Sequence, residues 1–377
     1  MPHRLAYIDN LRWSAISMVV VIHAAVTYSS FGDWYYFDRA PLSLAARVAF
    51  ATYQSFQHAV AMGLLFGIAG FFAGGAVARK GVAGFLRERL QRLGLPLLFY
   101  LLVIDPIIGH FITGNWHATP RSFVDDWSMH MLDGKLLDRS GPLWFCFVLL
   151  IFSGLFAAFR ALVPAEAAAQ RGRVPGAPAV FATIATMAAA TFAVGVAWPQ
   201  NLVVANVNLH DFPQYPFMFA VGVMAQRQDW PGRIASRTGR WWLLGGLAGS
   251  LVLWIALIGL GGALSGHLRD YGGGWHWQAA GMDVWRSFTC LSLTLGLITL
   301  YRDRFNRTGP ITRFLTRNAF GVYVFHAPIL IAITVALHGW PVETGIKFAL
   351  ASLLGIACSF AFVGLIARRT PVLRTIL

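Results

Sequence analysis

Charge is what this chain has least of. Asp, Glu, Lys and Arg supply only 12% of its 377 residues, against about 25% in an ordinary soluble domain. The apolar runs leave no stretch long enough for a separate soluble domain. Cysteine is scarcer still. Cys146, Cys290 and Cys358 all lie inside apolar runs, which argues against a disulfide framework or a cysteine metal site and leaves them as small core residues. There is no Gly-x-Ser-x-Gly elbow, no zinc motif and no nucleotide-binding glycine loop, so three common enzyme classes lose their sequence basis. Acidic residues are also few, 16 against 30 basic ones.

What the chain does have is apolar length: 57% of its residues are hydrophobic and its mean hydropathy is +0.59. A membrane-spanning helix needs about 17–25 apolar residues. Such runs recur at 13–31, 47–77, 93–113, 142–162, 177–197, 212–226, 241–261, 283–301, 318–338 and 345–367. The expectation is an all-α polytopic membrane protein of about ten transmembrane helices, forming one domain of two five-helix halves. With the N-terminus inside, only Arg39, Arg47, Arg121, Lys135, Arg139, Arg269, Arg286 and Lys347 of the 30 Lys and Arg fall on the far side. That asymmetry places both termini in the cytoplasm and accounts for the net charge of +14 without nucleic acid. The first run follows Arg12 directly and ends without a small-residue cleavage site, so it reads as a retained helix.

The connections carry their own signals. Gly63, Gly67, Gly70, Gly74 and Gly75 in the second run suit close helix packing in lipid. Residues 163–176, rich in Pro, Gly and Ala, form the inner connection between the halves. The outer segments collect Trp116, His117, Asp125, Asp126, His130, Asp211 and Asp270 with many Trp and Tyr. Tryptophan and tyrosine anchor at membrane interfaces; the functional reading is that aromatic faces and carboxylates bind a sugar. Sequence leaves both readings open.

Ionisable residues at mid-membrane depth are costly and by default functional. Eleven steps along a helix leave Arg12 and His23 about 20° apart around the axis and roughly 16 Å apart along it. Arg12 then sits near one membrane face and His23 near the centre. His58 and His326 reach similar depth, as does Asp105 beside Pro106. Each buried histidine must find a partner, and imidazole is the side chain best suited to move a proton near neutral pH. His23 is the first candidate for such a base. Arg89 and Arg92, three apart at the inner start of the third run, read either as a positive-inside anchor or as a fork for phosphate oxygens. Asp9 caps the first helix or pairs with Arg12; orienting His23 from fourteen residues away would need an early helix break.

These residues match a known pattern. Tyr7-Ile-Asp9-Asn10-Leu-Arg12 with His23 resembles the opening of the membrane-bound acyltransferase 3 family, whose hallmark is an arginine, ten residues and a histidine. The resemblance continues through Phe66-Gly-Ile-Ala69-Gly70, Arg89-Leu-Gln-Arg92-Leu-Gly94-Leu-Pro96, Gly141-Pro-Leu-Trp144-Phe145 and Gly321-Val-Tyr323-Val-Phe-His326-Ala-Pro328. The Asp-Asn-x-Arg opening and His58 look most like the branch that modifies osmoregulated periplasmic glucans. The resemblance implies a multi-pass enzyme of the bacterial cytoplasmic (inner) membrane that binds no permanent cofactor. It would take acetyl or succinyl from cytoplasmic acyl-coenzyme A as co-substrate to a hydroxyl of a periplasmic glycan, with membrane lipids around it. His23, His326 and Asp9 would then be the candidate catalytic residues, His23 as base or transient acyl carrier. Arg12, Arg89 and Arg92 would hold the donor, and His58, Trp144 and Tyr323 would line the pocket. One departure stands out: Ala69 occupies a position where the family usually has serine, so no hydroxyl role falls there. Many members also carry a C-terminal esterase-like domain, which these 377 residues do not include.

The alternative is a proton-coupled transporter, since mid-membrane His and Asp residues also build proton relays. Inverted repeats with paired broken helices would support it, and none is evident. A membrane scaffold would leave the buried histidines unexplained.

Overall fold

The computed structural model describes residues 5–113, 122–163, 172–199 and 202–377. Trp116 and His117, expected in an outer loop, and most of the 163–176 connection lie outside the described residues. Among the described residues the chain is all-α apart from a two-residue antiparallel ladder, Val203–Val204 with Val207–Asn208. Its main helices are α1 (Ala6–Ser29), α2 (Leu44–Arg89), α3 (Phe123–Leu132), α4 (Trp144–Leu162), α5 (Ala177–Ala197), α6 (Gln214–Gln228), α7 (Ser236–Leu260), α8 (Trp277–Arg304), α9 (Pro310–Ala336) and α10 (Thr344–Phe362).

Among the described residues, eight helical runs are long and apolar enough to cross a membrane. The arithmetic against ten expected spans has two physical causes. The spans at 47–77 and 93–113 belong to one run, Leu44–Ile112, of 69 residues. It bends at Gly81, whose φ of 68° lies in the region that favours glycine. The expected span at 212–226 corresponds to α6, whose 15 residues rise only about 22 Å and fall short of a hydrocarbon core of about 30 Å.

The chain divides into two compact units, each drawn from separated segments. Unit 1 comprises Met1–Leu11, His58–Arg87 and Ile151–Thr308. Here the glycine-rich part of α2 lies against α6. A Cβ on Gly70 would collide with the Phe219 carbonyl oxygen, and one on Gly222 with that of Gly67. Only backbone without side chains allows that approach, as expected where lipid offers no hydrophobic drive between helices. Asn10 anchors the start of α1 by donating to the carbonyls of Phe305 and Arg307 at 2.6 and 3.1 Å.

Unit 2 comprises Arg12–Gln57, Glu88–Leu150 and Gly309–Leu377. Residues 90–113 alternate between π and α turns, which widens the helix locally. The π turn Tyr100–Ile104 leaves carbonyls for side chains: His130 of α3 donates to Leu101 O at 2.9 Å and Trp127 to Leu102 O at 2.9 Å. In this way the short helix α3, capped by Ser122, is fastened to residues 100–104. The loop between α1 and α2 is fastened too. Asp38 donates its backbone N–H to Thr27 O and accepts from the buried ammonium of Lys347 at 3.1 Å.

Candidate active site

The centre of unit 2 is a pair of imidazoles. His23 Nδ1 lies 3.0 Å from His326 Nε2, and His326 Nδ1 lies 2.9 Å from the Tyr323 carbonyl oxygen. A carbonyl only accepts, so His326 Nδ1 carries hydrogen and a neutral His326 has a bare Nε2. That lone pair takes the Nδ1–H of His23, which leaves His23 Nε2 unprotonated. Hydrogen-bond complementarity thus fixes both tautomers and frees one basic nitrogen. His326 has no solvent exposure, whereas His23 retains some. Among the described residues no carboxylate pairs with either ring, which suits a site where an ionised partner would be costly. Pro328 lies inside α9 two residues beyond His326. It removes one backbone hydrogen bond from that part of the helix.

The loop after α1 completes the pair. Ser30 and Gly32 take positive φ values of 57° and 110° and turn the chain back along its own helix. Trp34 then stacks face to face on His23, with ring centres 4.0 Å apart and planes 8° apart. Next to it, Tyr35 donates to Asp105 Oδ1 at 2.7 Å and lies 3.0 Å from the Tyr100 hydroxyl. Burial, reinforced by Tyr100 and Asp105, pushes the Tyr35 phenol well above its ordinary value, so it remains a donor. Asp105 thereby acquires a role: it anchors the loop that carries Trp34. His130 stands 3.8 Å from the other Asp105 oxygen. Burial, helped by the Arg139 charge, lowers its pKa despite the Leu101 hydrogen bond.

Tyr323 meets this centre from α9, its ring centre 6.1 Å from that of His326, while Trp144 opens α4 and lies edge-on to Phe145 at 6.5 Å. The Tyr323 hydroxyl donates to the Pro142 carbonyl, and its ring lies edge-on to Phe145 at 6.0 Å. That docks the turn Gly141–Leu143, which leads into Trp144. Gly141 has a φ of 48°, and a Cβ there would run into the hydroxyls of Tyr35 and Tyr100.

The other expected residues are spread more widely. α1 runs without a break from Ala6 to Ser29, so fourteen residues hold Asp9 about 21 Å from His23 along the helix. Asp9 therefore does not orient His23; His326 does. Arg12 sits on α1 about 16 Å from His23 by the same rise. Arg89 ends α2, and Arg92 falls in the π turn Leu90–Gly94, where the wider winding alters the face expected for residues three apart. Arg92 is 74% exposed and lies 3.4 Å from Glu88.

His58 belongs to unit 1 and to a different cluster. Its Nε2 lies 3.0 Å from Asp211 Oδ2, and Asp211 Oδ1 accepts from Arg286. Arg286 also approaches Asp283 at 3.7 Å, and the buried His210 holds Asp283 at 3.1 Å. Asp211 lies just before α6. Burial alone would raise its pKa, but the Arg286 charge, followed by the His58 hydrogen bond and the histidine charges, outweighs burial and holds it below the usual range. Sequence reasoning missed Arg286 and Asp283 as a pair, although a carboxylate and a guanidinium three apart in an apolar run were a signal for it. Trp34 offered no such signal, because its contact depends on how the loop turns.

The family model described as an acyltransferase domain matches residues 5–368. No curated protein and no solved structure gives a match.

Proposed function

Since the chain belongs to the membrane-bound acyltransferase 3 family, we propose that it moves an acetyl or succinyl group from cytoplasmic acyl-coenzyme A to a hydroxyl of a periplasmic glycan, such as a glucan, in the bacterial inner membrane. The observation that carries this reading is the free Nε2 of His23, whose tautomer is set by the chain His23–His326–Tyr323 O. A thioester carbonyl needs little activation, but an alcohol nucleophile needs a base. His23 Nε2 takes the hydroxyl proton as the oxygen attacks the thioester carbon. The tetrahedral intermediate then expels the sulfur, which takes that proton from the imidazolium. The products are an ester and a free thiol. Arg12, Arg89 and Arg92 are proposed to meet the donor's phosphates from the inner face, and Trp144 and Tyr323 to bound the acyl pocket.

The experiment is thiol release from acetyl- and succinyl-coenzyme A by purified protein, with and without a periplasmic glucan, beside His23→Ala. Acceptor-stimulated release that disappears in the variant is the expected result. No release with either thioester from folded protein overturns the reading and favours transport.

A further inference from the structure

Unit 1 holds an apolar cavity between α1, α2, α6 and α8, and its lining residues all belong to that unit. It measures about 60 Å³, several times the roughly 10–15 Å³ that one water needs. Its origin is the glycine packing of α2 on α6. Gly67 and Gly222 both line it, and where their backbones meet there is no side chain to fill the space alongside. Among the described residues no charged side chain lines it; leucine, isoleucine, methionine and phenylalanine make most of the wall. Such a space stays dry and takes apolar guests.

Two lining residues carry polar atoms that interrupt this apolar character. Trp230 Nε1 is buried and has no hydrogen-bond partner among the described residues. The hydroxyl of Thr294, a residue 5% exposed, has the Cys290 thiol beside it, a weak partner. A guest that suits this wall is hydrocarbon with an acceptor oxygen at the Trp230 end. That end is also the basic one. Arg302 donates to the carbonyls of Pro231 and Ile234, two more lining residues, at 2.8 and 2.6 Å. Arg227, Arg233, Arg237 and Arg304 are exposed in the same stretches of chain. Tryptophan beside basic residues at a helix end marks the membrane interface, where lipid ester carbonyls lie, and arginines there attract anionic headgroups. Val221, Leu295 and Ile298 are half-buried lining residues, so the cavity reaches the lipid-facing surface.

We propose that this cavity binds one acyl chain of an anionic phospholipid, its ester carbonyl accepting from Trp230 Nε1 and its phosphate lying among the arginines. The site is independent of the acyl-transfer reading. The test is photolabelling of the full-length protein in lipid nanodiscs with limiting phosphatidylglycerol that carries a diazirine in one acyl chain, the adducts being mapped by peptide mass spectrometry. Leu64, Met218 and Leu291 line the cavity and are buried from surrounding lipid. Adducts on them therefore come from a chain inside the cavity, and they are the expected result. Trp230→Phe keeps an aromatic ring and removes the N–H; it should lower those adducts about fivefold, the scale of one neutral hydrogen bond. Leu295→Trp, which fills the cavity, should abolish them while labelling of the exposed Leu244 and Leu251 persists. Wild-type adducts confined to such exposed residues overturn the site, as does undiminished labelling in Trp230→Phe. Equal labelling by the matching phosphatidylcholine overturns the anionic occupant.

Discussion

The indole of Trp34 covers the face of the His23 imidazole at 4.0 Å, nearly parallel to it. An aromatic face attracts a cation by about 2 kcal/mol when both are desolvated. The stack fixes the ring's orientation and would favour the imidazolium that the proposed mechanism forms on His23. Trp34→Leu is expected to lower kcat about tenfold, and Trp34→Phe less, in steady-state acyl-transfer assays. Equal losses in both variants would mean that the stack acts only as filler.

His326 holds His23 through one nitrogen and the backbone through the other. His326→Ala removes both bonds and is expected to cost about 10²–10³-fold in kcat, within the usual range for general-base catalysis. His326→Gln offers an oxygen to His23 and an N–H to Tyr323, so it should recover part of that loss. A Gln variant no better than Ala would show that the bond from His23 needs an imidazole.

Gly141 combines a left-handed backbone with two phenols where a side chain would go. Gly141→Ala is expected to destabilise the protein by about 2 kcal/mol or more, seen as a lower thermal unfolding midpoint. Gly134 also has a positive φ, 72°, but open space around it. Gly134→Ala carries only the backbone strain and should lower the midpoint less.

The lowered pKa of Asp211 gives stability a pH dependence whose sign can be worked out. A carboxyl depressed in the folded state stabilises fully above its unfolded value of about 3.9 and loses that contribution as pH falls through the folded value. Asp211→Asn leaves Arg286 without its carboxylate and is expected to cost about 3–5 kcal/mol. The gap in unfolding midpoint between wild type and variant should be constant from about pH 5 to about pH 8 and narrow only below about pH 4. A gap that already closes near pH 6 would overturn the assignment to Asp211.

The architecture was legible because apolar run length and period are local properties: α1, α4, α5 and α7 to α10 lie where hydropathy places them. What escaped was geometry that breaks the ideal helix. The bend at Gly81 depends on one backbone angle, and the π turns of residues 90–113 change which residues share a face. His23 and His326 were legible as buried imidazoles, but their direct bond spans 303 residues, and no local pattern encodes it. Trp34 escaped for the same reason, since two turn residues decide where it lands. For Asp9 the sequence left orientation of His23 conditional on an early helix break, and α1 runs unbroken from Ala6 to Ser29.

The candidate base rests on a ring and a backbone carbonyl rather than on a carboxylate, and this has an electrical consequence. A full charge crossing the membrane field gains or loses about 2.3 kcal/mol per 100 mV. A pair of neutral rings would carry no such term, so on this reading the resting arrangement of His23 would not depend on whether the membrane is energised or collapsed. On the proposed mechanism, only the imidazolium formed while His23 holds the proton of an acceptor hydroxyl would feel the voltage.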